Sequence, residues 1–321
     1  KKEEKEEKEE EKEAKESLCL AAGDPHFTSF GGHHFNFQKV GELPLYHTED
    51  MQVNVFTCPW VQKYVGAASQ VGVAILTGGH KIELVGTEMT VDGAVVSSSM
   101  SLSGGGEAKH IQEGEWSGFE ISSSESSFKA MVADQYHAAD IPPGYIYNTM
   151  VHAKKSLAES SHGLCKGSGG ITRVAGSSTL FSAKAMADLN DMCFQKTGVS
   201  MASFQAINTA ADACEENKHD MKDAEQACAS VPSLARHDCI YDFCSQGSAV
   251  AAEVASQAAG MYTEAVKREV EEASEAKEEE AEADLMGGDD AGKAGSGVAG
   301  GAAAGTAGCA PCNCPLQGLF R

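Results

Sequence analysis

Hydrophobic and polar residues alternate with a period of two in several stretches between residues 18 and 173. Residues 35–38, 51–56 and 81–85 show this alternation most clearly, which is typical of strands with one buried face. Residues 71–76 are almost continuously apolar, which predicts a strand that is buried on both faces. The first half of the chain is therefore expected to be rich in β-structure.

Turn signals separate these segments and favour an antiparallel arrangement. Asp92 and Gly93 stand between β-branched residues within residues 90–96, which predicts a tight hairpin. Further short segments continue the series, and Ser and Gly clusters lie between them: residues 119–121, 128–132 and 145–151, with a polar loop at 97–106. This spacing predicts a mainly β, antiparallel β-sandwich.

The hydrophobic period becomes helical from about residue 182 to residue 246. Met201, Phe204 and Ile207 are three residues apart, and Ala211 and Cys214 extend the same predicted helical face.

A second helix is expected to follow closely. Asp223 is its predicted N-cap, the helix carries Ala227 and Cys228, and Pro232 ends it. Helices this short bury little surface, so disulfides are the expected means of holding them together.

Composition divides the remainder of the chain into low-complexity helical or disordered tails. The predicted organisation is a charged Lys/Glu linker (1–17), a β domain (18–175), a cysteine-rich helical module (176–247), an acidic Ala/Glu helix (248–286), a Gly/Ala linker (287–308) and a cysteine-rich tail (309–321). The charged segments are most simply solvated spacers, with weak bulk binding of calcium by the Glu run as the alternative.

Charge and hydropathy limit the partners. A net charge of -22 argues against nucleic acid and anionic lipid, which require basic patches. No run of about 18 apolar residues exists, so membrane insertion is not expected. The chain begins with Lys, and we expect a fragment or a processed form from which a secretion signal can have been removed.

Eleven cysteines indicate an oxidising compartment, because this number is ordinary in secreted proteins and high in cytosolic ones. The count is odd, so at least one thiol is free, metal-bound or paired with another chain. Cys309, Cys312 and Cys314 have CxxC and CxC spacing, but no fourth zinc ligand lies nearby. Intermolecular disulfides are the preferred interpretation of these three.

Three motifs resemble those of a known extracellular family. The segment GDPHFTSF at residues 23–30, followed by FNFQ at 35–38, resembles the start of the von Willebrand factor type D domain. The segment GLC at 163–165 is similar to the one that closes that domain. Residues 227–244 look like the cysteine-rich helical (C8-like) module that often follows it.

The resemblance implies a disulfide between Cys19 and Cys165. In the chain-entropy model, closing so long a loop contributes about 4 to 5 kcal/mol. The remaining cysteines are expected to pair among themselves or with Cys58, in a connectivity that stays open: Cys193, Cys214, Cys228, Cys239 and Cys244.

The chain departs from the family at the expected calcium site. The resemblance places ligands at the position of Gly31 and in the loop that begins at Lys166 and ends at Gly170, and neither has a carboxylate. Calcium takes six to eight oxygen ligands, so we expect no bound metal or cofactor. The chain also lacks the family cysteine expected at residues 40–43.

The GDPH segment raises two further possibilities. Several members of the family cleave themselves at the Asp-Pro bond, here Asp24-Pro25, with His26 placed to assist proton transfer. The simpler alternative is a tight turn in which Asp24 caps the backbone. His26, His33 and His34 also lie close in sequence, but neighbouring strand residues point to opposite faces, so packing is favoured over metal binding.

The sequence favours a non-enzymatic function. No nucleophile elbow, P-loop or zinc-protease motif occurs, and the Ser-Gly-Gly stretches have no base at a recognisable spacing. The expected role is that of a secreted or cell-surface structural protein that contacts other protein chains, including itself. A self-cleaving module and a calcium- or zinc-dependent binding module are the alternatives, and lipid carriage is disfavoured because no large apolar barrel fits in the chain.

Overall fold

The computed structural model describes residues 16–22, 25–59, 66–113, 116–132, 145–167, 179–195, 204–231 and 233–246. All of them belong to one structural unit of the chain. The predicted Lys/Glu linker, acidic helix, Gly/Ala linker and cysteine-rich tail lie outside these residues, apart from Glu16 and Ser17.

Within the described residues, the strands form two antiparallel sheets. In chain order they are β1 (Glu16–Ala22), β2 (His26–Thr28), β3 (His34–Asn36), β4 (Gly41–His47), β5 (Met51–Pro59), β6 (Ala68–Thr77), β7 (His80–Val85), β8 (Glu88–Val91), β9 (Ala94–Val95), β10 (Ser99–Ser101), β11 (Glu107–Glu113), β12 (Trp116–Ser122), β13 (Ser126–Val132) and β14 (Tyr147–Lys154). The first sheet has the order β10-β11-β12-β13-β14-β1-β2-β3, and the second has the order β4-β5-β6-β7-β8-β9.

The helices follow the strands in sequence. They are α1 (Lys155–Ser160), α2 (Ala183–Asn190), α3 (Ala210–Asn217), α4 (Met221–Ala227) and α5 (Ser233–Gln246), with short 3-10 turns at Ser103–Gly105 and Leu164–Lys166 and a π-helical turn at Asp191–Gln195. The predicted fold class, a mainly β protein with antiparallel sheets and later disulfide-linked helices, is confirmed.

A continuous apolar core joins the two sheets. Phe119 and Phe128 of the first sheet belong to the same buried cluster as Val55 and Ile82 of the second. Alternate residues along each strand supply this cluster, as expected for two sheets packed face to face. The apolar residues of the period-two pattern in the sequence therefore form the inner faces of a sandwich.

The second sheet is buried on its outer face as well. Phe181 packs edge-to-face on Phe56, with 6.0 Å between ring centroids, and Leu189 of α2 is fully buried against Gly72. This cover explains why β6 is apolar at successive positions, as the sequence predicted. Leu76, near its end, is the exception and is 38% exposed.

A buried carboxylate fixes the start of α2. Glu83 on β7 accepts hydrogen bonds from the backbone amide and the hydroxyl of Ser182, the N-cap residue of α2. Negative charge at a helix N-terminus is favourable because the backbone amides there lack helical partners.

The hairpin predicted at Asp92-Gly93 is present. Asp92 and Gly93 have φ values of 52° and 82°, the left-handed pair that a type I′ turn requires. The region predicted as a polar loop, residues 97–106, instead contains β10 and a 3-10 turn.

Two helical predictions are wrong in part. Ala211 and Cys214 are in α3 as predicted, and Met201 lies outside the described residues. Phe204 and Ile207 lie in irregular backbone before α3, because the Ile207 carbonyl accepts from the Tyr241 hydroxyl at 2.7 Å and its amide donates to Gly66 at 3.2 Å. The N-cap of α4 is Asp220, which accepts from the Lys222 amide, and not Asp223.

Four disulfides hold the described residues together. They join Cys19 to Cys165, Cys58 to Cys193, Cys214 to Cys244 and Cys228 to Cys239. The first closes the sandwich, the second ties it to the turn after α2, and the last two fasten α5 to the helices before it.

We expect the stabilisation by these disulfides to follow the length of the loop that each closes. Replacing Cys19 and Cys165, which are 146 residues apart, by Ala should lower the free energy of unfolding by about 5 kcal/mol in the chain-entropy model. The same change at Cys228 and Cys239, only 11 residues apart, should lower it by about 3 kcal/mol. Urea unfolding under oxidising conditions measures both, and equal losses would contradict the loop-length argument.

Candidate functional site

The GDPH segment leads into β2, where a buried aromatic residue fixes the direction of its neighbour. Phe27 is buried, stacks on Phe35 at 5.4 Å between ring centroids, and pairs with Ala21 on β1. Because successive strand residues point to opposite faces, His26 points away from this core. It meets helix α5 there.

His26 has a hydrogen-bond acceptor at each ring nitrogen. Its Nε2 lies 3.0 Å from Oδ1 of Asp242, and its Nδ1 lies 2.7 Å from Oδ1 of Asn36. A second carboxylate oxygen, Oδ1 of Asp238, is 3.5 Å from Nδ1. A carboxylate can only accept, so Nε2 carries a hydrogen that it donates to Asp242.

The two aspartates form a negative pocket for this ring. The His26 side chain is 9% exposed, and those of Asp242 and Asp238 are 5% and 23% exposed. Tyr241 packs edge-on against the same ring at 5.6 Å between centroids. An imidazole between the buried Asp242 and the half-buried Asp238 is well suited to its positively charged form.

The surrounding histidines change the acidity of Asp238. Burial by itself would raise the pKa of this carboxyl, but the nearby charge of His26, together with the hydrogen bond and charge of His237 and the charge of His34, lowers the pKa below its ordinary value. Asp238 is therefore a carboxylate over the whole neutral range. We refer to His26, Asn36, Asp238, Tyr241 and Asp242 as the junction cluster.

Backbone contacts provide a second anchor between the sandwich and the helices. The amide of Gln38 donates to Oδ1 of Asn208 at 2.8 Å, and Oε1 of the same Gln38 accepts from the Ala68 amide at 2.7 Å. Gln38, which is fully buried, thus links the segment before α3 to the start of β6. The helical module is fixed to the sandwich at two separate places.

The GLC segment closes the sandwich beside the turn that follows β2. Gly163 has φ of 103°, and a Cβ there would lie 2.6 Å from the carbonyl oxygen of Leu45. Only glycine therefore allows the chain to pass β4 this closely. The passage delivers Cys165 to Cys19, and the Cys165 carbonyl accepts from the Phe30 amide at 2.9 Å.

This closure brings together the two places where the family resemblance put calcium ligands. Gly31 is in the turn next to Phe30, and Lys166 follows Cys165. The Lys166 ammonium donates to the backbone carbonyl of Glu159 in α1. Residues 168–170 lie outside the described part of the chain, and within that part no three His, Cys, Asp or Glu side chains converge as metal ligands.

The three clustered histidines point to different partners. His34 Nδ1 lies 2.9 Å from the Thr28 hydroxyl, His33 is exposed, and His26 belongs to the junction cluster. Asp24 lies outside the described residues, as do Cys309, Cys312 and Cys314. Pro25 is described and is buried in the turn that precedes β2.

The acidic partners of His26 were not predicted from sequence. Asp238, Tyr241 and Asp242 are spaced i, i+3 and i+4, which places them on one face of α5. That spacing was visible in the sequence, but nothing in it indicated a partner 216 residues upstream. The sequence also left open which cysteine pairs with Cys58, and the structure pairs it with Cys193.

The residues that match a known family are those enclosed by the Cys19–Cys165 disulfide. Residues 19–165 match the family model of the von Willebrand factor type D domain. We refer to these residues, which are similar to that family, as the von Willebrand type D segment. Its first and last matched residues are the two cysteines of the disulfide that closes the sandwich. The segment covers slightly less than half of the chain, and no curated protein matches the sequence.

The von Willebrand type D segment and the four disulfides fit a protein that works outside the reducing cytosol. Of the helices that the structure describes, none has the length and apolar character needed to cross a membrane.

We expect the junction cluster to stabilise the fold. Asp242→Ala leaves the buried Nε2 hydrogen of His26 without its carboxylate acceptor, which should lower the free energy of unfolding by about 1 to 3 kcal/mol. Asp188→Ala, at an exposed position of α2, is the matched control and should change it little. Equal effects of the two substitutions in urea unfolding would show that the contact contributes nothing.

The contribution of Asp238 should depend on pH. A carboxyl whose pKa is lowered on folding stabilises the folded state above its unfolded value, here 3.8, and loses that effect as pH falls through the folded value. The difference in free energy of unfolding between the wild type and Asp238→Asn is therefore expected to be present above about pH 3.8 and to shrink as the pH falls below that value. A difference that stays constant down to about pH 2.5 would argue against the charge interaction.

Proposed function

We propose that the protein is an extracellular or cell-surface structural protein that is cross-linked to other protein chains, including copies of itself, through cysteines of its C-terminal tail. The sandwich and the helical module supply a rigid, disulfide-stabilised unit. The low-complexity segments act as spacers between that unit and the cross-linking tail. This role requires no catalysis and no bound metal.

The pairing of the cysteines is the observation that carries the proposal. Every cysteine in the described residues has a partner within the chain, in the four disulfides given above. Of the eleven cysteines, that leaves Cys309, Cys312 and Cys314. Three thiols can form one disulfide among themselves at most, so in an oxidising compartment at least one is left for another chain.

The helical module supports the same role. We propose that residues 176–247 form a C8-like module that accompanies the von Willebrand type D segment. Cys214–Cys244 and Cys228–Cys239 hold its short helices, and the junction cluster fixes it to the sandwich. A module fixed in this way holds the start of the following segment at a constant position relative to the sandwich.

Charge composition sets the conditions for assembly. A net charge of -22 makes separate copies repel one another at low ionic strength. The Debye length falls from about 30 Å at 0.01 M salt to about 8 Å at 0.15 M, so repulsion is screened under extracellular conditions. Covalent cross-linking then secures contacts that charge alone would not hold.

We expect the full chain, oxidised in about 0.15 M salt, to run as covalent dimers and larger species on a non-reducing gel and as a monomer after reduction. Replacing Cys309, Cys312 and Cys314 together by Ser should leave only the monomer on the non-reducing gel. The matched control replaces Cys228 and Cys239 by Ser, which removes a short internal disulfide and should leave the covalent oligomers in place.

Mass spectrometry of the non-reduced digest identifies the linked peptides. Tail peptides joined to tail peptides of a second, isotope-labelled copy would support self-association. A wild-type chain that stays monomeric in the absence of reductant, at concentrations where the labelled copies mix freely, would overturn the proposal.

A further inference from the structure

Three polar side chains from separate elements meet beside the β6–β7 turn. His80 begins β7, Asp92 is in the turn between β8 and β9, and Ser103 begins the 3-10 turn after β10. His80 Nδ1 lies 2.8 Å from Oδ2 of Asp92, and His80 Nε2 lies 3.1 Å from the Ser103 hydroxyl. The serine, the imidazole and the carboxylate are thus connected in that order.

The carboxylate is held in its charged form and in one orientation. The Lys81 backbone amide donates to Oδ1 of Asp92 at 2.9 Å, and this hydrogen bond together with the one from His80 lowers the pKa of the carboxyl below its ordinary value. The ionised Asp92 can only accept, so His80 carries a hydrogen on Nδ1. In the neutral ring, Nε2 then carries a lone pair that faces the Ser103 hydroxyl.

The backbone is shaped to bring Ser103 to this position. Gly78, in the β6–β7 turn, has φ of 56°, and a Cβ there would lie 2.5 Å from the Ser103 carbonyl oxygen. Glycine is needed both for the turn and for the close approach of the serine loop. A Cβ added at Gly104 or Gly105, which follow the serine, would have no neighbouring atom within 4 Å.

We propose that Ser103, His80 and Asp92 form a nucleophilic site that transfers acyl groups from exposed carboxylic esters to water. A hydroxyl, a base and an orienting carboxylate in hydrogen-bonded series make up the arrangement that activates serine on unrelated folds. Sequence reasoning found no base for the Ser-Gly-Gly stretch, because His80 is 23 residues upstream on another element. The activity is additional to the structural role and does not depend on it.

The reaction consists of two balanced steps. In the first, Ser103 Oγ bonds to the ester carbonyl carbon while His80 Nε2 takes the hydroxyl proton, and the alcohol leaves with that proton as the C–O bond breaks. In the second, water gives a proton to Nε2 and its oxygen attacks the acyl-serine. The carboxylic acid departs, and Ser103 regains its proton from His80.

Exposure of the site selects the kind of ester. The His80 side chain is 22% exposed and that of Asp92 is 54% exposed, so the site is an open surface and not an enclosed pocket. An open surface admits an ester carried on a large polymer, such as an O-acylated glycan. It also leaves charges screened by water, so we expect turnover to be slow.

The test uses the full, disulfide-bonded chain with a fluorophosphonate probe and with p-nitrophenyl acetate. The probe should modify Ser103, and the acetate should leave an acetyl group on the same residue, both identified by peptide mass spectrometry. Ser103→Ala should abolish both modifications, and His80→Gln should lower the rate of Ser103 modification by about 100-fold or more. Ser101→Ala, at an exposed position on β10, is the matched control and should behave as the wild type.

Asp92→Asn tests the orienting carboxylate without disturbing the turn, because asparagine tolerates the left-handed backbone conformation found there. It should lower the rate of modification and shift its pH profile, while the circular dichroism spectrum stays that of the wild type. Absence of any label on Ser103 would overturn the proposal. So would labelling at a rate that His80→Gln and Asp92→Asn leave unchanged.

Discussion

Covalent closure of the first sheet is the constraint on which the described structure depends. β1 is the first strand of the described residues, yet it lies inside its sheet between β14 and β2. Its register places Cys19 opposite Val151, so β1 pairs with a strand that is far away in the sequence. Bringing such distant segments together costs loop entropy, and the Cys19–Cys165 bond removes much of that freedom from the unfolded chain.

The junction with the helices follows from the same closure. Because β2 pairs with β1, Phe27 points into the core and His26 points to the opposite face of the sheet. There, Asp242 accepts a hydrogen bond from His26. Helices α3, α4 and α5 bury only small apolar clusters of their own, so two disulfides and these polar contacts stabilise them instead. His26, for which the sequence favoured packing over metal binding, is thereby engaged in joining two parts of the fold.

The sequence predicted the features that local pattern determines. Alternation identified β5 and β7, an apolar run identified β6, and Asp92-Gly93 identified the hairpin, because each depends on neighbours in the chain. Ile207 was misassigned to a helix because Gly66 and Tyr241, distant in sequence, use its backbone groups. The disulfide pairs other than Cys19–Cys165, and the partners of His26 and His80, likewise join elements that only the folded chain brings together.

The position of the Cys19–Cys165 disulfide also determines how the molecule responds to tension. A pulling force applied through the segments on either side passes from Cys19 to Cys165 through their disulfide, which bypasses the backbone between these two residues. The same holds for the residues between Cys214 and Cys244. Extension is then confined to the stretch that links the two loops. Because the Cys58–Cys193 bond ties this stretch to β5, that strand takes up part of the load, while the other strands of the sandwich are shielded as long as the disulfides remain intact.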